Sequence, residues 1–479
     1  MILFNNSVVA MRNQFTCAVM PGIPGKDISA VFRDWEIALV EVLDLMLERY
    51  EQQPGYPFID MKFNTITGHD FPVLDDLEKD FKSRNVVFGW IQGRALEALA
   101  GHAKWLRDCN ILDNASKNWR IKRIEKILQE VFSNLEEIRM RNHGRLFFTM
   151  TPEGTPFEID DNGKRREISL VEKPTGFTDL FYVKGMMAAA SCLNDRKAKF
   201  AAADMLRKVC AEIESGHFVS DQVSFDPKNR VKPISGKLSQ TPRMIAVSAC
   251  ALFAGLTGGQ EWFDTGRRFI NYILDHHIAC SPQCGPLRQY DFWEFIHLDG
   301  SQWVENGVLS SIPGHTLEFI GFSADLLLQM RGKSGFTEDE KTFVHRCRMV
   351  LPGIFMRNFK NGFNPHAGGI CKEFDLLNRK PLNDDMPWWS SPEAIRAAGA
   401  LLALYPEEIL NKDIYAAWAA TNNGFFNKYI NQNFRLVAYQ TINSRGKPVD
   451  VIPATPDADP CYHTGLSIID FLYSRRLWP

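Results

Sequence analysis

Apolar side chains recur every three to four residues in twelve runs, at 27–52, 85–108, 115–142, 175–194, 196–216, 240–256, 260–279, 313–331, 337–352, 389–404, 407–428 and 460–476. That is the spacing of helices that each bury one face. The connections between the runs alternate in length. Long ones, at 53–84, 143–174, 217–239, 280–312, 353–388 and 429–459, are rich in Gly, Pro, Asn and aromatic residues, whereas the others are short turns such as Thr257-Gly258-Gly259 and Gly332-Lys333-Ser334-Gly335. Six long and five short gaps make six helical hairpins with all the long loops at one end. Hairpins in that number can bury their apolar faces by closing into two concentric rings. The sequence therefore predicts an all-α fold, an (α/α)6 barrel forming a single domain over 1–479, with 1–26 as an N-terminal extension. Within the long loops, Arg145 to Phe157 predicts a short β-hairpin around Pro152-Glu153-Gly154.

Charge narrows the partners. Fifty-five basic against 57 acidic residues leave a formal net of −2, without the electrostatic footprint of a nucleic-acid or anionic-membrane binder. No run approaches the ~20 continuous apolar residues of a membrane span, and MILFNNSVVAMRNQF lacks the basic-then-apolar layout of a signal peptide. A cytoplasmic location and a small, uncharged partner are expected. The ten cysteines lie mostly in apolar helical runs without paired spacing, as reduced thiols do. His276, His277, Cys280 and Cys284 fall within nine residues, but their spacing fits no standard zinc module and the segment reads as a helix end entering a loop; no metal is expected. Glycine-rich nucleotide fingerprints, a phosphate-binding Gly-Lys-Ser/Thr loop and Gly-x-Ser-x-Gly are absent, which leaves redox, kinase and esterase chemistry without support.

Chemically capable residues gather at the starts of the even-numbered helices. The second carries Gln92-Gly93-Arg94, the eighth opens Pro313-Gly314-His315-Thr316-Leu317-Glu318, the tenth opens Trp388-Trp389 and Glu393, and the twelfth opens Pro460-Cys461-Tyr462-His463. If these helices form the inner ring, all four sets meet in one pocket. His315 sits where unpaired backbone N–H groups and the positive dipole end disfavour a protonated ring, so it is expected to stay neutral near pH 7. Glu318, three residues on, shares its helix face. A helix cap is the plainer reading of His315. Arg94 lies among Phe88, Trp90, Ile91, Leu96 and Leu99, where a guanidinium needs either a core carboxylate or a ligand. The Trp388-Trp389 pair suits either plain core or the axial C–H face of a sugar ring. Glu294, in the acid-and-aromatic stretch Gln289 to Gly300 of the fourth long loop, completes the set.

At these motifs the chain resembles the N-acylglucosamine 2-epimerase family, which includes cellobiose 2-epimerases and mannose-type aldose–ketose isomerases. The resemblance covers most of 85–475 and rests on Gln92-Gly93-Arg94, the 146–154 hairpin, Glu294-x4-Asp299-Gly300, Pro313-Gly314-His315-x-x-Glu318, Trp388-Trp389-x3-Glu393-Ala394 and Tyr462-His463. It implies an (α/α)6 barrel and proton transfer next to a sugar aldehyde. His315 and His463 would be the catalytic acid and base, Arg94 would face a growing enediolate charge, Glu294, Glu318 and Glu393 would bind hydroxyls, and Trp389 would stack on the ring. No cofactor is implied; a monosaccharide or small oligosaccharide is the expected partner, and a homodimer is a family expectation. Cellobiose epimerases and mannose isomerases carry a further histidine in a Met-His-x-x-Glu pattern, where this chain has Ile245 and Ser248. The N-acylglucosamine branch also lacks it, which leans the reading toward 2-epimerisation of an N-acyl or related hexosamine. Met386 stands where the family usually has Lys, and Ser391 departs as well. The alternatives are an aldose–ketose isomerase and a saccharide-cleaving hydrolase on the same barrel, using carboxylates from Asp291, Glu294, Glu318 and Glu393 about 5–9.5 Å apart.

Overall fold

The computed structural model describes residues 11–477 except 24–25, 77–78, 161–163, 171–173, 223–233, 280, 282–284, 334 and 408–410. Its helices follow the periodic runs closely: α1 (Ser29–Glu51), α2 (Gly89–Asp108), α3 (Asn114–Arg141), α4 (Phe177–Cys192), α5 (Arg196–Glu214), α6 (Thr241–Thr257), α7 (Gln260–His276), α8 (Pro313–Met330), α9 (Glu338–Gly362), α10 (Ser390–Leu404), α11 (Asn411–Gly424) and α12 (Ser467–Arg475). Each even-numbered helix packs on the next, α2 on α4, then α6, α8, α10 and α12, and α12 with its leading turn returns to α2. That closed circuit is the inner ring of an (α/α)6 barrel.

Residue type decides which helices lie inside. α4, α6, α8 and α10 are buried on nearly every side, with Ala and Gly setting close approaches, whereas α5 and α7 bury one stripe and leave Lys, Arg and Glu in water. Gly93 shows the mechanism. A Cβ there would meet the backbone of Phe181 at 2.6 Å, so α2 and α4 cross with backbones in contact.

Two expectations change. α9 does not stop at 352 but continues through Pro352 to Gly362. The lost ladder bond is offset because Ile354, Phe355 and Phe359 of the added turns enter the core. The 145–157 hairpin shrinks to its tip. Met150 bridges Pro156 around a turn at Gly154, but Thr149–Met150 pairs chiefly with Val87–Phe88, and Phe157–Ile159 pairs with Arg165–Glu167. The apolar residues prefer partners in the core over each other.

Short strands in the long loops fix the mouth. Leu238–Ser239 pairs antiparallel with Phe295–Ile296, Ser310–Ser311 pairs with Phe374–Asp375, and Met386–Pro387 pairs with Thr441–Ile442. These ladders place Ser239, Glu294 and the Trp388-Trp389 pair at the starts of inner helices. Among the described residues no helix is long and apolar enough to cross a membrane.

Candidate active site

Two histidines, each held by a carboxylate, border the same indole. His315, on the first turn of α8, has its ring centroid 5.3 Å from that of Trp389, and His463 has its own at 5.8 Å. The sets named from sequence at helix starts thus converge, although residues 315 and 463 lie far apart in the chain.

His315 Nδ1 is 3.2 Å from Glu294 Oε2. Glu294 is buried, yet its carboxyl is held below the usual range: burial pushes it up, and His315, Thr241 and Ser239 outweigh that. The Ser239 and Thr241 hydroxyls donate to Oε1 at 2.7 and 2.6 Å. An ionised carboxylate only accepts, so Nδ1 carries the proton and Nε2 is left for chemistry. The helix end is not what sets this ring's proton affinity. Burial opposes the charge, but Glu294, seconded by Glu318, overcomes both burial and Arg94 and raises the ring's proton affinity. A carboxylate in contact outweighs a helix end. Nor is His315 a cap: Ile312 is the N-cap of α8, without a side-chain cap bond.

His463 repeats the arrangement with different parts. It lies in a π-helical turn, Tyr462–Leu466, that leads into α12 after Cys461 in the left-handed region at φ 60°. Such turns are costly and occur often at functional sites. Asp459 holds this one together by accepting the backbone N–H groups of Tyr462, His463 and Thr464 at 2.7, 3.2 and 2.5 Å. His463 Nδ1 lies 2.8 Å from Glu393 Oε1, which also accepts from Ser467 Oγ at 2.8 Å. Oε2 of Glu393 takes the Arg396 guanidinium. Burial raises the Glu393 carboxyl and Arg396 with His463 more than reverses it, so Glu393 is ionised and again the imidazole donates from Nδ1.

Gly314 explains part of the Pro-Gly-His motif. A Cβ on it would enter the Trp389 ring at 2.7 Å and strike Ser390 Oγ, so only glycine lets the indole lie against the start of α8. Trp389 is half-buried, and the His315 side chain keeps 23% exposure, which leaves this edge of the site open.

Arg94 lies among aromatic rings rather than beside a core carboxylate. Its guanidinium carbon lies 4.1 Å from the Phe181 ring centroid, 5.1 Å from Trp90 and 5.2 Å from Tyr462, and among the described residues it makes no ion pair. Glu97, the nearest core carboxylate on α2, is instead paired with buried Lys184 at 3.1 Å, and Lys184 Nζ donates to Tyr462 Oη at 2.6 Å. Gln92 is structural, bonding the backbone of Ile59. Asp291 is locked by Arg379 at 2.6 Å and by Asn361.

Glu318 is the remaining carboxyl. It is buried, and no side chain or backbone group among the described residues hydrogen-bonds it. One of its oxygens, one of Glu393 and a nitrogen of His463 lie mutually within 4.8 Å, a group able to hold a metal ion. Its fit to a dication is poor, because Arg396 already supplies the positive charge to Glu393 and Nδ1 of His463 is committed. Of the other sequence candidate, Cys280 and Cys284 lie outside the described residues, while His277 is buried with Nδ1 on the Trp293 carbonyl.

Arg396, Lys184, Asp459 and Thr241 escaped the sequence reading. The first two had a signal: a lone cation within an otherwise apolar inner helix needs a buried partner.

The sequence profile of the family described as N-acylglucosamine 2-epimerase (GlcNAc 2-epimerase) matches residues 175–465, more than half of the chain and all of the histidine dyads. The chain belongs to the N-acylglucosamine 2-epimerase family. It is thus a carbohydrate epimerase or isomerase. No curated protein sequence matches it. Among solved structures, the cellobiose 2-epimerase from Spirochaeta thermophila DSM 6192 is similar with a TM-score of 0.61 at 13% identity, over 95% of this chain and 98% of that one. Cellobiose 2-epimerase from Bacillus thermoamylovorans B4167 gives 0.61 at 11%, over 98% and 100%. A D-mannose isomerase gives 0.56 at 14%, over 90% and 97%. At such identities these likenesses establish the shared barrel, and the chemistry must come from the residues.

Proposed function

We propose that the protein is a cofactor-independent sugar 2-epimerase acting on an N-acylglucosamine-like or related hexose. The observation that carries this reading is the pair of dyads, Glu294–His315 and Glu393–His463, beside one indole. Inverting a carbon next to an aldehyde needs a proton to leave one face and another to arrive on the opposite face, which suits two imidazoles. In each dyad the carboxylate fixes the tautomer and supports the imidazolium that forms, leaving Nε2 for the substrate.

In the forward direction one neutral histidine takes the C2 proton, the bonding pair moves into the enediolate, and the other, protonated, histidine returns a proton to C2. Arg94 faces the negative charge that grows on the oxygens, and its lack of an internal carboxylate keeps that charge available. Trp389 offers an apolar face to the ring, and Glu318 a carboxyl to a hydroxyl. Glu294 and Glu393 thereby serve the histidines rather than substrate hydroxyls.

Hydrolysis fits less well. It needs two carboxyl groups free to flank a glycosidic oxygen, and of the four candidates Glu294, Glu393 and Asp291 are committed to His315, His463 and Arg379.

The test is incubation of the enzyme with hexoses and N-acyl hexosamines in deuterated water, followed by NMR. Label at C2 together with the C2 epimer supports this reading. Label at C1 of a ketose assigns aldose–ketose isomerisation instead, and no exchange with any sugar removes both.

A further inference from the structure

A two-base epimerase has a problem that the dyads do not solve. After one turnover the base that took the C2 proton is protonated and the acid that gave one is neutral, so the enzyme faces its next substrate in the wrong protonation state. A proton must cross the pocket before the same reaction repeats. This reasoning rests on the two-histidine reading above.

Glu318 acts on both dyads. It sits three residues after His315 on α8, so the two side chains project from the same face of one helix. Across the pocket, its carboxyl lies within 4.8 Å of a nitrogen of His463. Its charge acts on the proton affinity of His315, and both histidines act on its own. The other two site glutamates are consumed by hydrogen bonds to imidazoles, hydroxyls or Arg396, whereas Glu318 has none from the described residues. A carboxyl has two oxygens and takes a proton on one while releasing it from the other.

We propose that Glu318 is the proton bridge that resets the site, carrying a proton between His315 and His463 after each turnover. The step balances within the enzyme. Protonated His315 gives its Nε2 proton to the Glu318 carboxylate and becomes neutral; the carboxylic acid then gives a proton to neutral His463, which becomes the imidazolium, and Glu318 returns to its starting state. For the reverse epimerisation the transfers run the other way. The groups facing Glu318 fit such a carrier: burial and Glu393 raise its carboxyl above the ordinary range, while His463, His315 and Arg396 keep the rise in check.

The experiment compares the first turnover with the steady state. Wild type and Glu318→Gln are mixed with limiting and with saturating amounts of the sugar found active, and epimer is read by rapid quench. The bridge is supported if the steady-state rate of Glu318→Gln falls about tenfold or more beyond any fall in its single-turnover rate, giving a burst of one product per site. The slow phase must then accelerate with the concentration of added imidazole or formate, small carriers that replace the lost carboxyl. Equal losses in both phases, or a slow phase indifferent to these carriers, overturn it and leave Glu318 as a substrate ligand. Glu318→Asp, which keeps the acid on a shorter arm, should show a smaller gap between the phases; it carries the test if the glutamine variant does not fold. Absence of C2 exchange in wild type with every sugar is a separate result, which removes the two-histidine reading itself.

Discussion

Glu393 Oε1 stands 2.8 Å from His463 Nδ1 while its other oxygen takes the guanidinium of Arg396, one turn further along α10. The imidazole is therefore oriented by a carboxylate that is itself pinned by a buried cation, and Ser467 closes the remaining direction. Glu393→Gln keeps the shape but offers Nδ1 a neutral partner. The expected loss in kcat is about 10²–10⁴-fold, as when an oriented catalytic imidazole loses its carboxylate. Because the change leaves Arg396 only Asp470, at 3.5 Å, as a paired carboxylate, unfolding should also become easier by about 1–3 kcal/mol, read as a lower midpoint in chemical denaturation.

Glu294 sets the acid limb of the pH profile. It raises the proton affinity of His315 against the effect of burial, and a base works only when deprotonated. With Glu294→Gln, burial and Arg94 act with less opposition, so the pKa of His315 falls. The acid limb of kcat/KM should move to lower pH although the maximal rate drops. The stability effect has the opposite sense along the axis. In wild type the folded-state pKa exceeds the unfolded value of about 6.5, so this contribution is complete below that value and is lost as pH rises through the folded one. Paired pH–rate and pH–denaturation series on both proteins check the two halves.

Arg94 separates catalysis from stability. Its contacts are aromatic faces rather than carboxylates, so Arg94→Met should cost little in denaturation midpoint. If it stabilises the enediolate, kcat/KM falls about 10²–10³-fold. Arg94→Lys should recover only part of that, since a point charge does not lie flat among three rings as a guanidinium does.

The helices were readable because burial imposes a period that survives loop insertions. α8 and α10 begin at Pro313 and just after Trp389, where apolar runs meet Pro and Trp signals. The alternation of gap lengths carried the barrel. What was not readable depended on contacts across the ring. Nothing near Pro352 announces that Phe355 and Phe359 find a core to enter. The raised proton affinity of His315 follows from Glu294, 21 residues earlier and just before the short strand Phe295–Ile296, and no local rule connects the two. The turn holding His463 shows a sharper case: Asp459 holds it through backbone N–H groups, and a π-helical turn has no periodic signature.

Gly314 predicts a structural cost with a local readout. Gly314→Ala places a methyl group against the Trp389 ring and Ser390, both packed at the start of α10. Displacing the indole should cost about 1–3 kcal/mol of stability and change its near-ultraviolet signal. Gly307→Ala, with open space around the added carbon, tests only the strain of a positive φ and should leave turnover close to wild type.

The central claim is that His315 and His463 exchange protons with one sugar carbon from opposite sides. His315→Asn and His463→Asn, each incubated with either epimer of the active sugar in deuterated water, test it most directly. The account predicts that neither variant forms the opposite epimer, and that each still washes deuterium into C2 of the one epimer whose proton faces the surviving histidine. Epimer formation near the wild-type rate by either variant, with C2 labelled, contradicts it.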